Sequence, residues 1–166
     1  MEPKSKLKPV KEFRSYKRNL PHFELPGSVY FITFTAAEGF TLSAEARDIV
    51  LASVKYGSGN KYRLYACVVM DTHVHLILQP LEETSGSFYS IARIMHGVKS
   101  YSANQLRKLS GKKGHIWLNE SYDRVIRHDD EYLEKLNYIV NNPAKAGLVE
   151  KPEDYRWLYV AEADSG

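Results

Sequence analysis

Two histidines one residue apart, His73 and His75, stand in the run Met70-Asp-Thr-His-Val-His-Leu-Ile-Leu78. Strand side chains alternate faces, so both imidazoles would point to one side while Val74, Leu76 and Leu78 pack on the other. Such a pair of ring nitrogens is half of a metal site or, with equal weight, two incidental histidines on a sheet edge. A metal needs a further ligand. The chain has no His-Glu-x-x-His, no Cys-x-x-Cys and no Cys/His cluster, which argues against structural zinc and a zinc protease. It also lacks the second His-x-Ser/Thr motif of a two-histidine phosphodiesterase.

A nucleophile is the other requirement. Tyr138 and Asn142 share one face of a helical stretch whose opposite face carries Leu133, Leu136 and Val140. Glu134 and Lys135 lie beside them. Tyr101 and Gln105 repeat the spacing on an earlier stretch, but flank its apolar stripe near Ile94, which suggests boundary packing. Spacing alone leaves both tyrosines open.

The elements that must position these residues read as follows. Residues 1–27 are an irregular basic arm. Val29 to Thr35, rich in β-branched and aromatic residues, is a strand. Ser43 caps a helix from Ala44 to about Tyr56, ended by a glycine-rich turn. Tyr62 to Met70 is a second strand, joined by Asp71-Thr72 to the His-x-His strand, which ends at Pro80. Ser87 to about Leu109 is helical on the spacing of Phe88, Ile91, Met95, Val98 and Ser102. A basic loop at 110–114 precedes one or two strands within Ile116–Leu118 and Tyr122–Arg127. Asp129 opens a last helix with acids in its first turn, and Pro143 should end it at Asn142. An irregular tail follows. The order β-α-β-β-α-β-α describes an α+β fold, a ferredoxin-like split βαβ with an antiparallel sheet and helices on one face, plus a C-terminal helix carrying Tyr138.

Length and charge narrow the class. The 166 residues fit one domain, 28–160, between the arm and a short tail at 161–166. A lone cysteine, Cys67, sits among apolar neighbours as a small core residue and suits a reducing cytoplasm. No signal peptide or membrane-spanning run is legible. The net charge of +3 hides an uneven distribution. Residues 1–22 hold seven Lys/Arg against two Glu, and residues 93–128 hold eight against two acids. Clustered positive charge with twelve tyrosines suits a polyanion that offers flat rings for stacking.

Several stretches, in order, resemble the REP-associated tyrosine transposases, relatives of the single-tyrosine insertion-sequence transposases among the HUH endonucleases. They are Leu20-Pro-His-Phe23, Pro26-Gly-Ser-Val-Tyr-Phe-Ile-Thr-Phe34, the His-x-His run, Ile116-Trp117 and Tyr122-Asp-Arg-Val-Ile-Arg127. The most distinctive is Tyr138-Ile-Val-Asn-Asn-Pro-Ala-Lys-Ala-Gly-Leu-Val149. The likeness spans about residues 14–157. It implies that Tyr138 is the nucleophile, and that His73, His75 and Asn142 hold Mg²⁺ or Mn²⁺. It further implies single-stranded DNA cleavage and strand transfer through a 5′-phosphotyrosine on palindromic, REP-type hairpins.

On that reading Lys4, Lys6, Lys8, Lys11, Arg14, Lys17 and Arg18 track phosphates, with Phe13 and Tyr16 interleaved. Lys112 and Lys113 form a second positive edge, and Lys135 lies near the tyrosine. The expected setting is cytoplasmic, on the nucleoid when DNA-bound, as a monomer or homodimer. Two rivals stand beside this. One is an RRM-like module, which would display stacking aromatics where this chain has histidines. The other is a domesticated hairpin binder that no longer cuts.

Overall fold

A computed structural model describes residues 27–162. The arm, with its seven basic residues from Lys4 to Arg18, lies outside the described residues. The elements run β1 (Val29–Thr35), α1 (Ala44–Tyr56), β2 (Tyr62–Val69), β3 (His73–Pro80), β4 (Glu82–Thr84), β5 (Ser87–Phe88), α2 (Ile91–Ser110), β6 (Tyr122–Ile126), α3 (Asp129–Lys145), a 3-10 turn (Pro152–Asp154) and β7 (Leu158–Val160). Five strands form one antiparallel sheet in the order β6-β1-β3-β2-β7. The first four of these give the ferredoxin-like order, and β7 extends it at one rim.

Alternation along the strands divides the core in two. Ile32, Phe34, Val74, Leu76 and Leu78 face α1 and α2 with Val50, Val54, Ile94 and Leu106. Phe31, Val68 and Ile77 face α3 with Leu136, Ile139 and Val140. A fully buried Leu or Ile side chain contributes about 1.5–3 kcal/mol, so Leu136 and Ile139 alone largely fix α3 to its face. Ser43 caps α1, its Oγ accepting from the Ala46 N–H at 3.2 Å.

Four boundaries differ from the sequence expectation. Helix α2 begins at Ile91, because Ser90 caps it and the stretch before it folds as the β4–β5 hairpin around Gly86, at φ +76°. Ile116–Leu118 forms no strand, only a bridge from Trp117 to Ala36. Helix α3 continues through Pro143 to Lys145, with Pro143 buried and the Ala146 N–H still reaching the Asn142 carbonyl. The tail is not irregular throughout. Tyr155 donates its hydroxyl to the Val69 carbonyl at 2.7 Å, and β7 then pairs with β2. No helix among the described residues is long and apolar enough to cross a membrane.

Candidate active site

The site lies on the α3 face of the sheet, where the register brings His75 opposite Thr33 and His73 opposite Thr35. The two imidazole rings stand 4.8 Å apart, edge to face. His75 is 5% exposed, with Nδ1 2.7 Å from Thr33 Oγ1 and its ring stacked on Phe31 at 5.8 Å. His73 is half-buried, with Nδ1 3.2 Å from Thr72 Oγ1. Burial, with a smaller push from His73, lowers the His75 pKa to about 4. Burial also lowers that of His73, against an opposing pull from Asp71. Both rings are therefore neutral at pH 7 and able to donate a lone pair.

In the tautomer whose Nδ1–H donates to the hydroxyl, Nε2 carries the lone pair open to a further partner. For His75 that atom is buried and has no hydrogen-bond partner. A neutral imidazole fixed through one nitrogen, with the other buried and unengaged, fits a cation site. No group of three or more His, Cys, Asp or Glu able to hold a metal exists among the described residues, so any ion here takes other donors as well.

Tyr138 leaves α3 on the flank away from the packed stripe, as its spacing predicts, yet its ring reaches the sheet. It meets the edge of His75 at 5.1 Å and of Phe31 at 6.1 Å, and the residue stays 46% exposed. Helical side chains lean toward the preceding turn, and Lys135, three residues earlier, lines a cavity with it. Lys135 Nζ sits 5.1 Å above the Phe31 ring. These residues, with Thr33 and Tyr122, line that open cavity, of about 280 Å³.

The other sequence candidates fall elsewhere. Asn142 is one turn beyond Tyr138 in continuous helix, half-buried, and does not line the cavity. Its neighbour Asn141 holds a buried, unpartnered Oδ1. Lys112 packs over Phe40, beyond the end of α2 and on the other side of the sheet, and Lys113 is exposed beside it. Tyr101 is 58% exposed on α2, so it is no packing residue, and α2 covers the face away from the histidines. Sequence reading missed Phe31, Thr33 and Tyr122. Alternation puts Phe31 and Thr33 on one face of β1, but only the pairing register reveals that this face meets His75.

No protein-family model matches the chain. A Haemophilus influenzae protein provisionally named a REP-associated tyrosine transposase is 25% identical over 103 residues, 59% of this chain and 57% of that protein's length. Among solved structures, a REP-associated tyrosine transposase bound to a REP hairpin superposes with a TM-score of 0.62 at 20% identity, covering 84% of this chain and 80% of that one. A provisionally named transposase from Deinococcus radiodurans superposes more loosely, at a TM-score of 0.48 and 16% identity over 74% of this chain and 95% of that one. In its motifs, its aligned sequence and its fold, the chain resembles the REP-associated tyrosine transposases.

Proposed function

We propose that this chain is a metal-dependent single-strand DNA endonuclease and strand transferase that works through a 5′-phosphotyrosine on Tyr138 and acts on REP-type hairpins. The observation that carries the reading is the placement of Tyr138, an accessible phenol 5.1 Å from a buried histidine ring whose Nε2 has no partner. The name of the Haemophilus relative, and the hairpin in the superposed structure, point to the same substrate class.

An ordinary phenol, with a pKa near 10, is a weak nucleophile at neutral pH. A divalent ion held by His73 and His75 would supply Lewis-acid polarisation of the phosphate and neutralise developing charge, and the Asn142 amide, which the family resemblance adds as a ligand, would have to reach it from outside the cavity. The chain's own groups do the rest. Tyr138 Oη attacks phosphorus in line; a tyrosine O–P bond forms as the bond to the 3′ oxygen breaks. The phenolic proton passes to solvent, and the departing oxygen takes up a proton to become a 3′-hydroxyl. The reverse attack by a 3′-hydroxyl rejoins the strand and frees the tyrosine. One phosphodiester is exchanged for another, so no external energy source is required. Lys135 supplies a positive charge beside the phosphate, and Thr33 with Phe31 fixes the plane of the His75 ring.

We assign the basic arm at 1–27 to phosphate tracking and residues 28–160 to the endonuclease domain. Incubating a labelled hairpin oligonucleotide with the full chain and Mn²⁺ should give a covalent protein–DNA band that Tyr138→Phe abolishes. A band that persists in Tyr138→Phe would overturn the assignment. Hairpin binding without any band from the unaltered chain would instead mark a binding module that does not cut.

A further inference from the structure

At the height of the histidines, one register row crosses three strands. Tyr122 on β6 pairs with Thr33 on β1, which pairs with His75 on β3. All three side chains line the same cavity as Tyr138 and Lys135. Tyr122 ends the row on a rim strand, 55% exposed, with its ring edge-on to Phe31 at 6.5 Å. A lone exposed tyrosine is ordinary on a protein surface. This one stands at the mouth of a cavity and beside two cations. Lys135 Nζ is over the Phe31 ring, and Arg124, two residues on and on the same face of β6, is ion-paired with Glu131. Two strand spacings separate β6 from β3, about 10 Å, so a polymer crossing this rim reaches Tyr122 before the histidines.

We propose that Tyr122 is a base-stacking platform for single-stranded DNA, holding a base next to the phosphate at Tyr138 while Lys135 takes a neighbouring phosphate and Arg124, paired with Glu131, steadies the Tyr122 side of the rim. This rests on the DNA reading above and adds a specificity-determining residue to it. Every base has a π-face, so a single platform tolerates sequence and leaves discrimination to the hairpin.

The test compares two probes, a labelled thymidine oligomer and an abasic oligomer of equal length, each titrated with the full chain across a salt series. The unaltered chain should bind the thymidine oligomer about tenfold more tightly than the abasic one. Tyr122→Ala should lose that margin while keeping its salt slope, because no phosphate contact is removed. Tyr122→Phe, which keeps the ring, should retain it. An unchanged margin in Tyr122→Ala would overturn the platform, as would a Tyr122→Phe protein that behaves like Tyr122→Ala. Equal affinity of the unaltered chain for both oligomers would overturn it too, leaving the cleavage reading intact. Binding of the thymidine oligomer by a chain that leaves the hairpin oligonucleotide uncut would sink the cleavage reading and leave the platform standing. Binding of neither oligomer would overturn the platform and leave the hairpin reading to its own test.

Discussion

His75 combines burial with one fixed nitrogen, and that has a measurable cost in acid. Its folded-state pKa is about 4, whereas an unfolded histidine titrates near 6.5. The unfolded chain takes the proton first as pH falls, so stability is full above about 6.5 and drains away down to about 4. The loss reaches about 3 kcal/mol. Urea unfolding in metal-free buffer at pH 7 and pH 5 should show the decline, and His75→Asn should flatten it. Thr33 carries a second expectation. Thr33→Val keeps the β-branched shape but removes the hydroxyl at Nδ1, and should weaken Mn²⁺ binding by about tenfold in calorimetry, with little change in the fold. At this scale, alternation placed His73 and His75 on one strand face, and the motif resemblance, not spacing, singled out Tyr138. Thr33, Phe31 and Tyr122 could be read from neither, because their neighbours are set by the register of distant strands, and a one-residue slip would turn every one of them to the other face.

Among the elements, α3 bears Tyr138, the proposed nucleophile, and depends on packing more than on propensity. Pro143 removes one helical N–H and crowds the Ile139 carbonyl, a cost of about 3 kcal/mol in an isolated helix. The sequence reading ended the helix there for that reason. It missed that the proline ring is itself buried, which offsets the lost bond. The cap at Ser43 was legible because capping is local chemistry; the β4–β5 hairpin was not, because Phe88 fits the period of the helix that follows. Leu136, fully buried beneath α3, is the residue to test. Leu136→Ala should cost about 2–5 kcal/mol in urea unfolding and reduce covalent-band formation more than hairpin binding, since the helix would no longer hold Tyr138 over the sheet.

For the whole molecule, Tyr138 stands against His75 of its own chain. Helix α3 follows β6 at one rim, and the segment after it returns to pair β7 with β2 at the opposite rim. Lending α3 to a second copy would mean peeling the Tyr155 bond and a strand from the sheet. Mixing equal amounts of Tyr138→Phe and His75→Ala chains should therefore restore no cleavage, and recovery of the covalent band would show the helix to be shared. The rim-to-rim path was invisible in the sequence, whose tail offers only three short strand residues. It has a further consequence. When one support of a beam held at both ends shifts, the middle follows only in part, and Tyr138 lies near the middle of Asp129–Lys145. Breathing at the sheet rims, where strands fray first, thus reaches the phenol only in part, and its distance from the His75 ring is held by the span of the sheet itself.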